Sequence, residues 1–205
     1  MATRSAIGTA IETIPALIAG SAGLSLLYGL STGTWGPVAA AVAILYLVPP
    51  LLHRAHDAIW PLKAGSHAIV GADYVPWWGS HQLQRLYITF PALEAALRLV
   101  PGLFSAWLRL WGAKVGRKVY WTPSLEITDR SLLDIGDGAI FGQDAVMVSH
   151  VIMPRDGKMT LYFKTIVVGD GALIGGQSVL GPGAVVKPAV MVRARQTVSV
   201  NEVVE

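Results

Sequence analysis

The chain has 205 residues, a net charge of +3 and no cysteine, which excludes disulfides, thiolate metal sites and cysteine nucleophiles. Its 16 Lys and Arg are scattered, without the dense basic run of a nucleic-acid binder. Hydrophobic residues make up 53% and charged ones 14%, outside the ordinary range for a soluble domain, and the apolar surplus lies in the first third. Three regions are expected: 1–56, 57–114 and 115–205.

Two uncharged runs come first, TIPALIAGSAGLSLLYGL at 13–30 and GPVAAAVAILYLVPPLL at 36–52. Each is close to the shortest helix that crosses a hydrocarbon core. The STGTW connection at 31–35 is too short for anything but an antiparallel neighbour, so a transmembrane helical hairpin is expected, with both ends on one side. Small residues such as Ala19, Gly20, Ala22 and Gly23 suit close helix packing in lipid. A cleaved signal peptide would carry one apolar run and a cleavage site, not a second run at once. Arg4 precedes the hairpin, Arg54 and Lys63 follow it, and the connection has no basic residue, which puts both ends in the cytoplasm. Glu12, at the mouth of the first span, suits the positive end of a helix.

Five of the seven tryptophans fall within 60–112: Trp60, Trp77, Trp78, Trp107 and Trp111. Around them, 82–99 and 103–110 place Arg85, Arg98 and Arg109 among apolar residues at helical spacing, with Pro91 and Pro101 as breaks. Two readings fit: amphipathic helices lying in the membrane interface, or a helical cap on the domain that follows. His53, His56, His67 and His81 precede the repeat without ligand spacing and read as interfacial or structural.

From Val115 an apolar residue recurs every sixth position at Trp121, Ile127 and Leu133. A two-residue shift restarts the frame at Ile135, Phe141 and Met147, and after an interruption come Val168, Ile174, Leu180, Val186, Val192 and Val198. A small or acidic residue commonly follows each. This period builds a three-sided parallel solenoid of about 18 residues per coil. The expected fold is mostly β: a left-handed parallel β-helix of hexapeptide repeats, four to five coils long, preceded by the hairpin and the amphipathic helices. So short a prism hides little surface alone, and self-association is expected. Asp137 and Asp170 read as turn residues accepting backbone N–H bonds.

The phrases IGDGAIFGQDAVMVSH (135–150) and VVGDGALIGGQSVLGPGAVV (167–186) resemble the hexapeptide-repeat acyltransferase superfamily. The stretch VPGLFSAWLRLWGAKVGRKVYW (100–121) resembles the acyltransferase-like C-terminal modules of membrane-embedded Pls-type peptide synthetases. The resemblance implies transfer of an acyl group, acetyl foremost, from acyl-CoA to a hydroxyl or amine of a membrane-associated acceptor, with no metal, by a homotrimer in the bacterial inner membrane whose catalytic domain is cytoplasmic. His150, at the end of a coil before the irregular loop 151–164, matches the family's general base; imidazole suits that task because it titrates near neutrality. Asp156 and Asp144 are the carboxylates expected to orient it. The resemblance places the donor's pantetheine arm near Gly175 and Gly176, where the family's usual aromatic is Leu173. Lys187, Arg193 and Arg195 face its acidic nucleotide end or form a solvated edge. A metal-dependent hydratase would need three histidines from the repeat, which supplies only His150. A carrier-thioester, peptide-bond-forming module and a non-enzymatic trimeric scaffold are the alternatives.

Overall fold

A computed structural model describes residues 6–69, 74–155 and 157–205. The chain divides into two compact units, one comprising Met1–Leu62 with Gly71–Thr89, the other Lys63–Val70 with Phe90–Glu205.

The first unit is helical: α1 (Ala6–Thr32), α2 (Trp35–Tyr46), α3 (Val48–Ile59) and α4 (Pro76–Thr89). α1 and α2 pair as a helical hairpin. Gly33, with φ 65, turns the chain between α1 and α2, and Gly29 lets the two helices touch, since a Cβ there would lie 2.8 Å from Val38 Cγ2. α4 packs on both α1 and α3. The stretches Ala6–Thr32 and Trp35–Ile59 are long and apolar enough to cross a membrane, and only 11% and 17% of the apolar 18-residue segment within each is buried. Leu17, Leu24, Leu27, Leu30 and Trp35 are each at least 65% exposed, the opposite of a soluble core helix.

Polar side chains gather on the inner side of α3 and α4. His53 Nε2 lies 2.9 Å from Ser80 Oγ, and His56 Nε2 lies 2.5 Å from Tyr74 Oη. Gly79 makes room for that pair, because a Cβ there would run into Tyr74. Burial pushes the Tyr74 hydroxyl up to about 12. Trp78 Nε1 donates to Glu12 Oε1 at 3.2 Å, so Glu12 is tied to α4 by a hydrogen bond.

The second unit opens with β1 (Gly65–Ala68), α5 (Ala92–Arg98) and α6 (Leu103–Leu110). The predicted breaks fall where the prolines stand: Pro91 precedes α5, and Pro101 with Gly102 (φ 79) separates α5 from α6. A parallel β-helix follows. Its first coil contains β2 (Lys114–Val115), a bridge at Tyr120 and β3 (Glu126–Ile127). The second contains β4 (Leu133–Ile135), β5 (Ile140–Phe141) and β6 (Val146–Met147). An excursion, β7 (His150–Arg155) and β8 (Lys158–Phe163), then leaves the stack. β9 (Ile166–Val168), β10 (Leu173–Ile174) and β11 (Val179–Leu180) form the third coil, β12 (Val185–Val186), β13 (Met191–Val192) and β14 (Thr197–Val198) the fourth, and β15 (Val203–Val204) begins another.

The coils stack in register on three faces: β2-β4-β9-β12-β15, β5-β10-β13 and β3-β6-β11-β14. Every apolar position in the six-residue series is buried, none more than 9% exposed. Trp121 stacks on Phe141 with ring centroids 4.7 Å apart. α6 caps this core: Phe104 meets Trp121 edge-on, and Trp107 and Trp111 are buried. Burial of these two tryptophans inside the unit agrees with the cap reading of α6.

Two expectations need correction. The chain is not mostly β, since 41% of the described residues are helical; three short strands per coil contribute few residues while α1 alone is 27 long. The segment after His150 is not irregular. β7 and β8 pair antiparallel from His150↔Phe163 to Arg155↔Lys158, with Gly157 at φ 74 in the turn, and β1 adds a third strand against β8.

Candidate active site

His150 stands where the chain leaves the second coil. Ser149 before it is buried, its Oγ donating to Leu132 O at 3.2 Å, and its carbonyl accepts from Lys164 N at 3.0 Å. These bonds hold both legs of the excursion, so the imidazole starts from a fixed backbone. Its side chain is 18% exposed.

His150 Nδ1 lies 2.6 Å from Asp129 Oδ2. Asp129 is 1% exposed, and the Thr128 hydroxyl also donates to Oδ2, at 2.8 Å. The local cause is the two-residue shift in the repeat. β3 and β6 are adjacent with Ile127 opposite Met147, so the segment after Ile127 lies beside the segment after Met147, one coil away. The extra residues between Ile127 and Ile135 let Asp129 reach the imidazole. Next to it, Arg130 Nε is 2.5 Å from Glu94 Oε1, and Arg98 Nη2 is 3.1 Å from Glu94 Oε2, all three side chains being buried. This ion cluster fastens the corner to α5. Burial lowers the Arg98 pKa; Glu94 counteracts and Arg130 adds to that shift.

The carboxylate beside His150 is therefore Asp129, not Asp144. Asp144 sits exposed at a turn with φ 56, its main-chain N–H donating to Ser124 Oγ, and Asp156 lies outside the described residues. Asp137 and Asp170 do accept backbone N–H bonds as expected, from Arg117 and Asp137 respectively, each at 2.7 Å.

The expected donor residues lie at other corners of the prism. Gly175 and Gly176 follow β10, and Arg193 and Arg195 follow β13, its neighbour on the same face. Lys187 follows β12 on another face and pairs with Glu205 at 2.5 Å. Arg195 Nε donates to Gln177 Oε1 at 2.8 Å. Coil stacking requires the glycines: a Cβ on Gly142 would lie 2.5 Å from Gly176 N, and one on Gly175 would lie 2.6 Å from Arg193 C. Within one protomer none of these residues shares the corner of His150.

No protein-family model matches the chain, and no curated protein matches it. Among solved structures it is similar to a hexapeptide-repeat-containing acetyltransferase of Vibrio cholerae, with 19% identity and a TM-score of 0.40, over 58% of this chain and 85% of that one. It is also similar to serine acetyltransferase isoform 3 of Entamoeba histolytica, in complex with cysteine, with 12% identity and a TM-score of 0.26, over 92% of this chain and 63% of that one. At those scores neither likeness carries weight, and the functional reading rests on this chain's own residues.

Proposed function

We propose that the chain is a membrane-bound acyltransferase in which His150 is the general base. The observation that carries this reading is the His150–Asp129 pair, at 2.6 Å with the carboxylate buried, at the point where the β-helix is interrupted. With Nδ1–H donating to Asp129, the basic lone pair resides on Nε2. Nε2 takes the proton of an acceptor hydroxyl or amine as its oxygen or nitrogen attacks the thioester carbonyl of acyl-CoA. The tetrahedral intermediate collapses with loss of the CoA thiolate, which receives the proton back from the imidazolium. Asp129 keeps the ring in that tautomer and stabilises its cationic form.

The acyl group is proposed to be acetyl, the acceptor membrane-associated, and the enzyme integral to the bacterial inner membrane with this domain on the cytoplasmic side. The two largely unburied apolar helices support the membrane assignment. Self-association as a homotrimer is supported by an apolar ladder on one face of the prism, Tyr120, Ile140, Leu173 and Met191, which the register aligns and which is 38–60% exposed. A donor lying between prisms would bring a neighbouring protomer's Gly175 corner toward His150. The test is thiol release from acetyl-CoA by the detergent-purified chain supplied with a membrane lipid extract. Release lost in His150→Ala, with oligomer size unchanged, supports the enzyme; equal release from both proteins contradicts it.

A further inference from the structure

A second feature of the β-helical unit lies apart from the His150 corner. Between the α5–α6 turn and the first coil is a groove of about 470 Å³ whose walls carry Arg98, Arg109, Arg117 and Lys118 and, among the described residues, no acidic side chain. Phe104 and Tyr120 supply apolar surface, and Val100, 53% exposed, lies on its wall.

The four cations are not equally committed. Arg109 gives Nε to Val115 O at 2.9 Å and Nη2 to Gly116 O at 2.7 Å, which fixes it to the first coil. Arg98 is 2% exposed, its guanidinium carbon 4.3 Å above the Phe104 ring. Its Nη1 donates to Pro123 O at 2.6 Å and its Nη2 to Glu94, but its buried Nε has no acceptor among the described residues. A buried guanidinium N–H without an acceptor is costly, and Nε is closed off from solvent, so Arg98 acts on the groove through its charge while Arg117 and Lys118 are the cations a ligand can touch. The side chains of Arg117 and Lys118 make no hydrogen bond or ion pair among the described residues; the carboxylate closest to them in the bonding pattern, Asp137, is engaged by the Arg117 main chain. Lys118, at φ 56, occupies the corner that turns the chain along the groove.

We propose that this groove binds a phosphate-bearing ligand, with Arg117 and Lys118 supplying charge at the mouth and the Arg98 guanidinium adding positive potential from within the wall. Guanidinium forks and ammonium groups over an apolar wall match the tetrahedral oxyanion of a phosphomonoester or diphosphate attached to an apolar body. Two sources share that chemistry: an anionic phospholipid headgroup and a soluble phosphate compound. The proposal does not depend on acyl transfer, and its test needs no turnover.

The full chain in non-ionic detergent is titrated with inorganic diphosphate by calorimetry. In parallel it is reconstituted into phosphatidylcholine vesicles with and without one-fifth phosphatidic acid, and headgroup binding is read as the rise in unfolding temperature that the phosphatidic acid causes. Arg117→Ala/Lys118→Ala, whose exposed positions spare the fold, is compared with Lys114→Ala/Lys158→Ala, which removes the same charge elsewhere. The groove variant is expected to bind about tenfold more weakly than wild type, about one charge-assisted hydrogen bond's worth, while the control keeps wild-type affinity. A groove-dependent effect on the vesicles alone identifies a lipid headgroup, and one on diphosphate alone identifies a soluble ligand; either supports the site. Absence of binding in both arms, or equal loss in groove variant and control, overturns it.

Discussion

Replacing Phe141 by Ala tests whether the six-residue frame sets the core. Phe141 is fully buried and stacked on Trp121 at 4.7 Å with an interplanar angle of 7°. Removing the ring forfeits about 2–3 kcal/mol of transfer free energy. The cavity left between coils and the lost aromatic pairing bring the total to about 3–5 kcal/mol. For a unit of this size that is a fall in Tm of roughly 10–20 °C. The assay is thermal unfolding in detergent followed by tryptophan fluorescence, to which Trp121 contributes with the six other tryptophans, with far-UV circular dichroism alongside. Glu126→Ala is the control, an exposed position one residue before the inward Ile127, and it should move stability by no more than about 0.5 kcal/mol. Equal losses in the two variants, or a shift below about 3 °C for Phe141→Ala, would refute the assignment of inward and outward positions.

Gly136→Ala should cost about 1–3 kcal/mol, because its Cβ would sit 2.5 Å from Asp170 N and 2.7 Å from Gly169 C in the next coil; a chemical-denaturation midpoint equal to wild type would mean the coils are not in contact there. Glu94→Ala leaves buried Arg98 and Arg130 without their shared carboxylate and should lose about 3–5 kcal/mol, read from the same denaturation curves. Alkaline pH tests the helical unit. The raised pKa of Tyr74, about 12 against an ordinary 10.0, means the folded state favours the neutral phenol. Its contribution to stability is thus complete below pH 10 and lost as pH rises toward 12. Melting curves across that window should fall more steeply for wild type than for Tyr74→Phe, and parallel curves would remove Tyr74 from the account.

The β-helix was legible because period six leaves no choice about which side chains turn inward: Trp121, Ile127 and Ile174 follow by counting. The hairpin of α1 and α2 was legible for a similar reason, as two uncharged runs joined by five residues allow one arrangement. Asp129 is not legible from proximity along the chain, where the acids nearest His150 are Asp144 and Asp156. In a solenoid the neighbour in space is one coil away, and Asp129 is 21 residues before His150. The signal was available in the frame shift between Leu133 and Ile135, which marks the corner where the coil is wider than its neighbours. The antiparallel pair after His150 also left a trace, the Asp-Gly at 156–157 that favours a tight hairpin turn. The pairing of β1 with β8 left none, because a four-residue strand almost a hundred residues upstream has no periodicity to announce its partner. The groove cations were visible singly, but Arg98 joins Arg117 only through the seating of α5 on the first coil.

The central claim, that Asp129 acts through His150, is tested most directly by a double-mutant cycle on acetyl-CoA thiol release using His150→Ala, Asp129→Asn and the combined variant, each confirmed as folded by circular dichroism. Loss of a positioned base should cost about 10²–10⁴ in rate, the neutral Asn somewhat less, and the double variant should be no slower than His150→Ala alone. Additive losses, or full activity in Asp129→Asn, would contradict it.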